Sequence, residues 1–272
     1  MTEIIQSISS MIVFFIVAVA LPLLFAKLIK PQQLLQKPVW AAITAGFFVV
    51  MSFTASFLIF FSFMSIAMVA LATMLILPYL VDIFSRNYYH TQGVKGLLAP
   101  LRKYERYISL YTWMFFGMSL VWALLYAVMP PVLGDEAFSV QLSFLNPMPA
   151  FIQPDIALSI FVNNIQLALF AFALSPFWGA VSLFILGYIA SLAAVIYGSP
   201  LRALIYNVPS MNVSLLFLPH TILEILGYLF AAVAGIALVK KIDKESLIDA
   251  SWLLTVSIIL IAFGAIIESG LI

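Results

Sequence analysis

The sequence predicts an all-α protein, a polytopic bundle of about eight transmembrane helices. Three observations predict it. The 272 residues are 65% hydrophobic and 8% charged, where a soluble domain carries about 25% charged residues, and the mean hydropathy is +1.17. The apolar residues fall in runs of roughly 20, the length that crosses a bilayer. The basic residues fall between these runs in a pattern that gives one consistent topology.

Taken in order, spans are expected at about 5–26, 39–60, 62–84, 107–129, 156–175, 177–198, 215–239 and 250–270. The chain begins MTEII, with an acid and no basic leader region, so its first apolar run is read as a retained span. The stretch 39–84 has no polar loop, yet at ~1.5 Å per residue it is too long for one crossing. A tight hairpin near Ser62 divides it. With that division, Lys27, Lys30, Lys37, Arg86, Lys95, Arg102, Lys103, Arg106, Lys240, Lys241 and Lys244 share one side, and only Arg202 falls on the other. The positive-inside rule makes the first side cytoplasmic and puts both termini outside a cell membrane.

Two connections are long. Segment 86–106 (RNYYHTQGVKGLLAPLRKYER) is a basic cytoplasmic loop carrying Arg86, Lys95, Arg102, Lys103 and Arg106. Tyr88, Tyr89, Tyr104 and Tyr107 suit the headgroup level. The loop reads either as an interfacial segment holding anionic lipid or as a docking surface for a cytoplasmic partner. Segment 130–154 is external and holds five prolines, which break helices. Its Phe138, Leu142, Phe144 and Leu145 are expected to lie along the outer leaflet or to cap the bundle.

Several function classes are excluded. The net charge of +1 gives no basic surface for nucleic acid. With no cysteine, disulfides, thiolate metal sites and cysteine nucleophiles are absent. The sequence has no Walker sequence, no H-E-x-x-H and no Ser-His-Asp arrangement at one depth. No cofactor is expected.

One acid stands out. Glu224 lies inside the apolar run 215–239, in the neighbourhood LPHTILEILGYLFAAVAGIAL (218–238), with His220 as its titratable company. An ionised group at membrane depth costs at least ~2.5 kcal/mol, so it faces a protein interior and marks function. His220, Glu224, Gly227, Ala231 and Gly235 follow at spacings of four, three, four and four, which keeps them on one helix stripe. The lower part is a small-xxx-small seam that lets helix backbones approach closely. Glu224 therefore points into the bundle.

Its expected partners are Asn163 and Asn164 in FVNNIQLALFAFAL, at matching depth, with Gln166 one turn on. Gly179, Gly187, Ser191 and Gly198 repeat the small-residue theme in the next span, which follows a tight turn at Ser175-Pro176. Arg202, Asn207, Pro209 and Asn212 form an outer loop, a connection or a lid over the cluster. Four readings fit the cluster: a hydrogen-bonded knot fixing helix register, a transport or proton-relay site, a partner or lipid-headgroup site, and a metal site. His220 and Glu224 offer two ligands where zinc takes three or four, and His90 falls on the opposite side, so no metal is assigned.

F-V-N-N-I (161–165), the glycine-bearing span 179–198, P-H-T-I-L-E (219–224), A-A-V-A-G-I-A-L (231–238) and A-F-G-A-I-I-E-S (262–269) resemble the stage II sporulation protein M family. The resemblance covers roughly 107–272. It divides the chain into a three-span extension with its basic loop, 1–106, and a five-span family-like domain, 107–272. It implies a multi-pass membrane protein of bacteria or archaea, whose sporulating relatives work in a membrane complex with cell-wall hydrolases. Thr221 stands where relatives usually have glycine, and the three-span extension replaces their usual soluble or short N-terminal region. The expected function is a non-enzymatic assembly or scaffold component that contacts lipids, other membrane proteins or further copies of itself. The alternative is a permease or ion pathway, with Glu224 as a protonatable gate and a separate ATPase.

Overall fold

A computed structural model describes residues 29–85, 96–145, 156–178, 181–209, 218–239 and 242–270. The expected first span, Arg86, Lys95, His90, Gly179 and Asn212 lie outside these residues. Among the described residues the regular structure is helical throughout. The helices are α1 (Pro31–Gln36), α2 (Pro38–Ile59), α3 (Met64–Ser85), α4 (Ala99–Val128), α5 (Pro131–Ala137), α6 (Ser139–Leu145), α7 (Ile156–Trp178), α8 (Val181–Tyr206), α9 (Leu218–Ile236) and α10 (Lys244–Ser269). Seven of them are long and apolar enough to cross a membrane, namely α2, α3, α4, α7, α8, α9 and α10. The protein is an all-α, multi-pass membrane bundle.

The run 39–84 is divided as expected. α2 ends at Ile59, a 3-10 turn spans Phe61–Phe63, and α3 begins at Met64. Other boundaries differ. α4 starts at Ala99, so Arg102, Lys103 and Arg106 lie on a helix and not in a loop. α10 starts at Lys244, six residues before the expected 250, because Asp243 caps it by accepting from the Ser246 N–H at 2.9 Å. The two early starts have one further cause. Lys103 Nζ donates to Glu245 Oε1 at 2.8 Å and to Asp249 Oδ2 at 2.6 Å, which ties the polar first turns of α4 and α10 together.

The chain forms two contact units that interleave in sequence. One comprises residues 1–83, 113–147 and 187–211; the other comprises 84–112, 148–186 and 212–272.

In the first unit, α2 and α3 pack on the later turns of α4 and α8, with Trp122, Tyr79 and Phe48 buried. Small residues set the spacing. Gly117 sits against the backbone of Ala42, and Gly198 against the carbonyl of Ala123. Gly187 meets Val69, Met118 and Thr73 at ordinary contact distance.

The described part of the proline-rich segment, 130–145, folds as α5 and α6, since Pro131 occupies a first-turn position where its missing N–H is tolerated. Phe138 is fully buried, 5.1 Å from the Tyr126 ring, while Phe144 stays exposed. Gln141 is fully buried. It donates to the Ser65 carbonyl at 3.2 Å and to Ser191 Oγ at 3.0 Å, and its own carbonyl accepts from Ser65 Oγ. Arg202 lies on α8 and not in a loop. It donates to Asp135 Oδ1 at 2.7 Å and to the Pro131 carbonyl at 2.6 Å, and it covers the Tyr126 ring at 4.3 Å. It therefore clamps α5.

In the second unit, α9 packs most extensively on α10, and α7 packs on both. This unit holds the candidate site.

Candidate functional site

The site begins with the α9–α10 seam. A β-carbon on Gly227 would stand 2.5 Å from Ile261 Cγ1 and 3.2 Å from the Ser257 carbonyl. One on Gly264 would stand 2.8 Å from Glu224 Cγ. Rising numbers on α9 meet falling numbers on α10, so the two helices are antiparallel. Ser257 Oγ donates to the Gly227 carbonyl at 2.7 Å, a side-chain bond across the seam. On its other side α9 meets α7, where Gly235 faces the Phe172 carbonyl and Ser175. Ala231 is fully buried between these contacts. The small-residue stripe thus presses α9 against two neighbours.

Close approach brings polar groups together within the first two turns of α9. Asn164 Nδ2 donates to Glu224 Oε1 at 2.6 Å. Asn164 is 8% exposed and His220 is 5% exposed. Thr221 Oγ1 stands 3.3 Å from His220 Nε2. A further acid completes the group: Glu268, in the last turn of α10. One ligand-capable atom from each of His220, Glu224 and Glu268 lies within 4.8 Å of the others. The site is therefore a pair of carboxyls, an imidazole and an amide, carried by three helices.

Two of the five residues expected in the buried cluster stand elsewhere. Asn163 and Gln166 are exposed on α7. Asn163 reaches the site only through Asn164, donating to its Oδ1 at 3.4 Å. Neighbouring residues on a helix point about 100° apart, so one asparagine of the pair faces inward and the other does not. Val162, Leu167, Leu169 and Phe170 are also exposed on α7. Only 17% of that span is buried, against 56% of α9.

Glu268 was missed from the sequence because it ends an apolar run, where acids are usually solvated. The available signal was the one that flagged Glu224, an acid inside an apolar helix, strengthened by Gly264 one turn earlier.

A family model described as Stage II sporulation protein M matches residues 110–271. No curated protein and no solved structure matches the chain. The family match contains all four residues of the site.

Proposed function

Because this chain belongs to the Stage II sporulation protein M family, we propose that it is a non-enzymatic component of a membrane assembly, docked to its partner through α7. One observation carries this reading: two amides, Asn163 and Gln166, are exposed on a helix that sits at membrane depth and is mostly uncovered. Lipid tails cannot bond an amide, and in bilayers such side chains serve as interhelical glue, each worth about 0.6 kcal/mol and up to ~1.7 kcal/mol. Asn163, Gln166 and Phe170 follow at three and four residues, so they share a face. The partner is a transmembrane helix of another protein that carries its own polar group; a second copy of this chain is the other occupant with that chemistry. The buried bond from Asn164 to Glu224 fixes the rotation of α7 and so fixes which amides face out. The topology goes with this reading: the basic first turns of α4 and the residues Lys240, Lys241 and Lys244 on the cytoplasmic side, and both termini outside.

A photoreactive residue placed at Asn163 or Gln166 in native membranes tests the docking face. Protein adducts are expected at both positions and none from Met74, which is exposed on α3. Lipid adducts alone, as at Met74, would refute the proposal. The chain has no cysteine, so Lys244→Cys and Ser269→Cys report topology directly. An impermeant thiol reagent should label only Ser269→Cys in intact cells.

A further inference from the structure

The expectation that no metal binds rested on two ligands, and the structure supplies a third. We infer that His220, Glu224 and Glu268 form a binding site for a divalent transition-metal cation of the zinc or manganese class. The inference goes beyond docking through α7 and does not depend on it.

Geometry comes first. An imidazole nitrogen and two carboxylate oxygens lie within 4.8 Å of one another. Metal bonds of about 2.0–2.2 Å would draw them together by small side-chain rotations. Two of the donors come from α9 and one from α10, and the Gly227 and Gly264 contacts hold these helices at close range. Two of the donors are held by a neighbour. Asn164 donates to Glu224 at 2.6 Å, and Thr221 stands 3.3 Å from His220 Nε2. Such outer contacts orient ligands and tune affinity.

Charge points to a cation. Glu224 and Glu268 each bring a carboxylate oxygen within 4.8 Å of the other. Two carboxylates at that range repel each other, and a cation between them turns the repulsion into attraction. The described residues of α7 and α9 hold no Lys or Arg. Lys103 is engaged by Glu245 and Asp249, about 35 Å from Glu268 along α10. A divalent ion with two carboxylates and a neutral imidazole is electrically neutral, which is the form a membrane interior accepts most cheaply.

Donor chemistry narrows the ion. One nitrogen and two oxygens suit zinc, manganese or ferrous iron, and the absence of thiolate disfavours copper(I). Three protein ligands leave a coordination position open.

The test uses full-length protein purified without a polyhistidine tag and stripped with chelator. Zn2+ alone, and in a separate run Mn2+ alone, is titrated and counted by calorimetry and elemental analysis. One ion per chain is expected for at least one of the two metals. Glu268→Gln and His220→Ala should each weaken that binding by about tenfold or more, while His90→Ala should leave it unchanged. Glu268→Gln is nearly isosteric, and its unchanged elution and metal-free thermal midpoint would establish that it folds. Failure of both metals to bind wild type, or equal binding in folded Glu268→Gln, would overturn the inference. Neither result bears on adducts at Asn163, so the two proposals fail separately.

Discussion

Leucine at Gly117 should abolish the folded protein, and alanine there should already lower its thermal midpoint. The sign is not obvious, because Gly→Ala inside a helix gains up to about 1 kcal/mol of propensity. At Gly117 that gain meets a hard obstacle. A β-carbon would stand 2.7 Å from Ala42 Cα and 2.8 Å from its carbonyl carbon. Both atoms are backbone, so no side-chain rotation relieves the clash, and α2 and α4 must part. Overpacking of this kind costs about 1–3 kcal/mol and can cost more. Gly187 is the internal control. Its nearest neighbour would be Val69 Cγ1 at 3.5 Å, an ordinary contact. Alanine there should be neutral or slightly stabilising. Fluorescence-detected size exclusion after heating measures all three variants. Equal midpoints for Gly117→Ala and wild type would show that α2 and α4 do not meet backbone to backbone at Gly117.

The contrast between the two glycines marks how far the sequence can be read. Both lie in apolar helices, and nothing in hydropathy separates them. Gly187 was read as a packing residue from its place in a small-residue span. Gly117 was not singled out, although it makes the tighter approach. Which glycine touches backbone depends on the rotation of two helices about their axes, and that is set by contacts distant in the chain.

The same limit governs helix ends and the site. Among the described residues, hydropathy located seven of the eight expected spans and the hairpin at 61–63, because chain length against bilayer thickness is local arithmetic. It placed the starts of α4 and α10 too late, because the charged Lys103, Glu245 and Asp249 end an apolar run without ending a helix, and their pairing lies between segments far apart in the chain. Glu224 and His220 were legible from chemistry and four-residue spacing. The choice of Asn164 over Asn163 was not, since adjacent residues share a depth but not a direction. Glu268 needed the antiparallel register of α9 and α10 before it could be seen beside Glu224.

That register makes Asn164 the most sensitive of the site's uncharged residues. Asn164→Leu leaves Glu224 without its 2.6 Å donor. An unmet buried acceptor costs about 1–3 kcal/mol, while membrane hydrogen bonds average about 0.6 kcal/mol with a ceiling near 1.7 kcal/mol. The expected loss is therefore about 1–2 kcal/mol by these two scales, large enough to read as a lower midpoint in mixed-micelle denaturation. Glu224→Gln should be nearly silent in chelator-treated protein, because a glutamine carbonyl still accepts from Asn164. Glu224→Leu should cost less in the Asn164→Leu background than alone, because the two apolar side chains leave no polar group unmet between them. That non-additivity is the quantity to measure, since contacting residues couple and distant ones do not. Strict additivity would mean that the carboxyl takes its stabilisation from Glu268 or His220. The rotation of α7, and with it the outward face of Asn163 and Gln166, would then have to be fixed by the Gly235 contact with Phe172 and Ser175 instead.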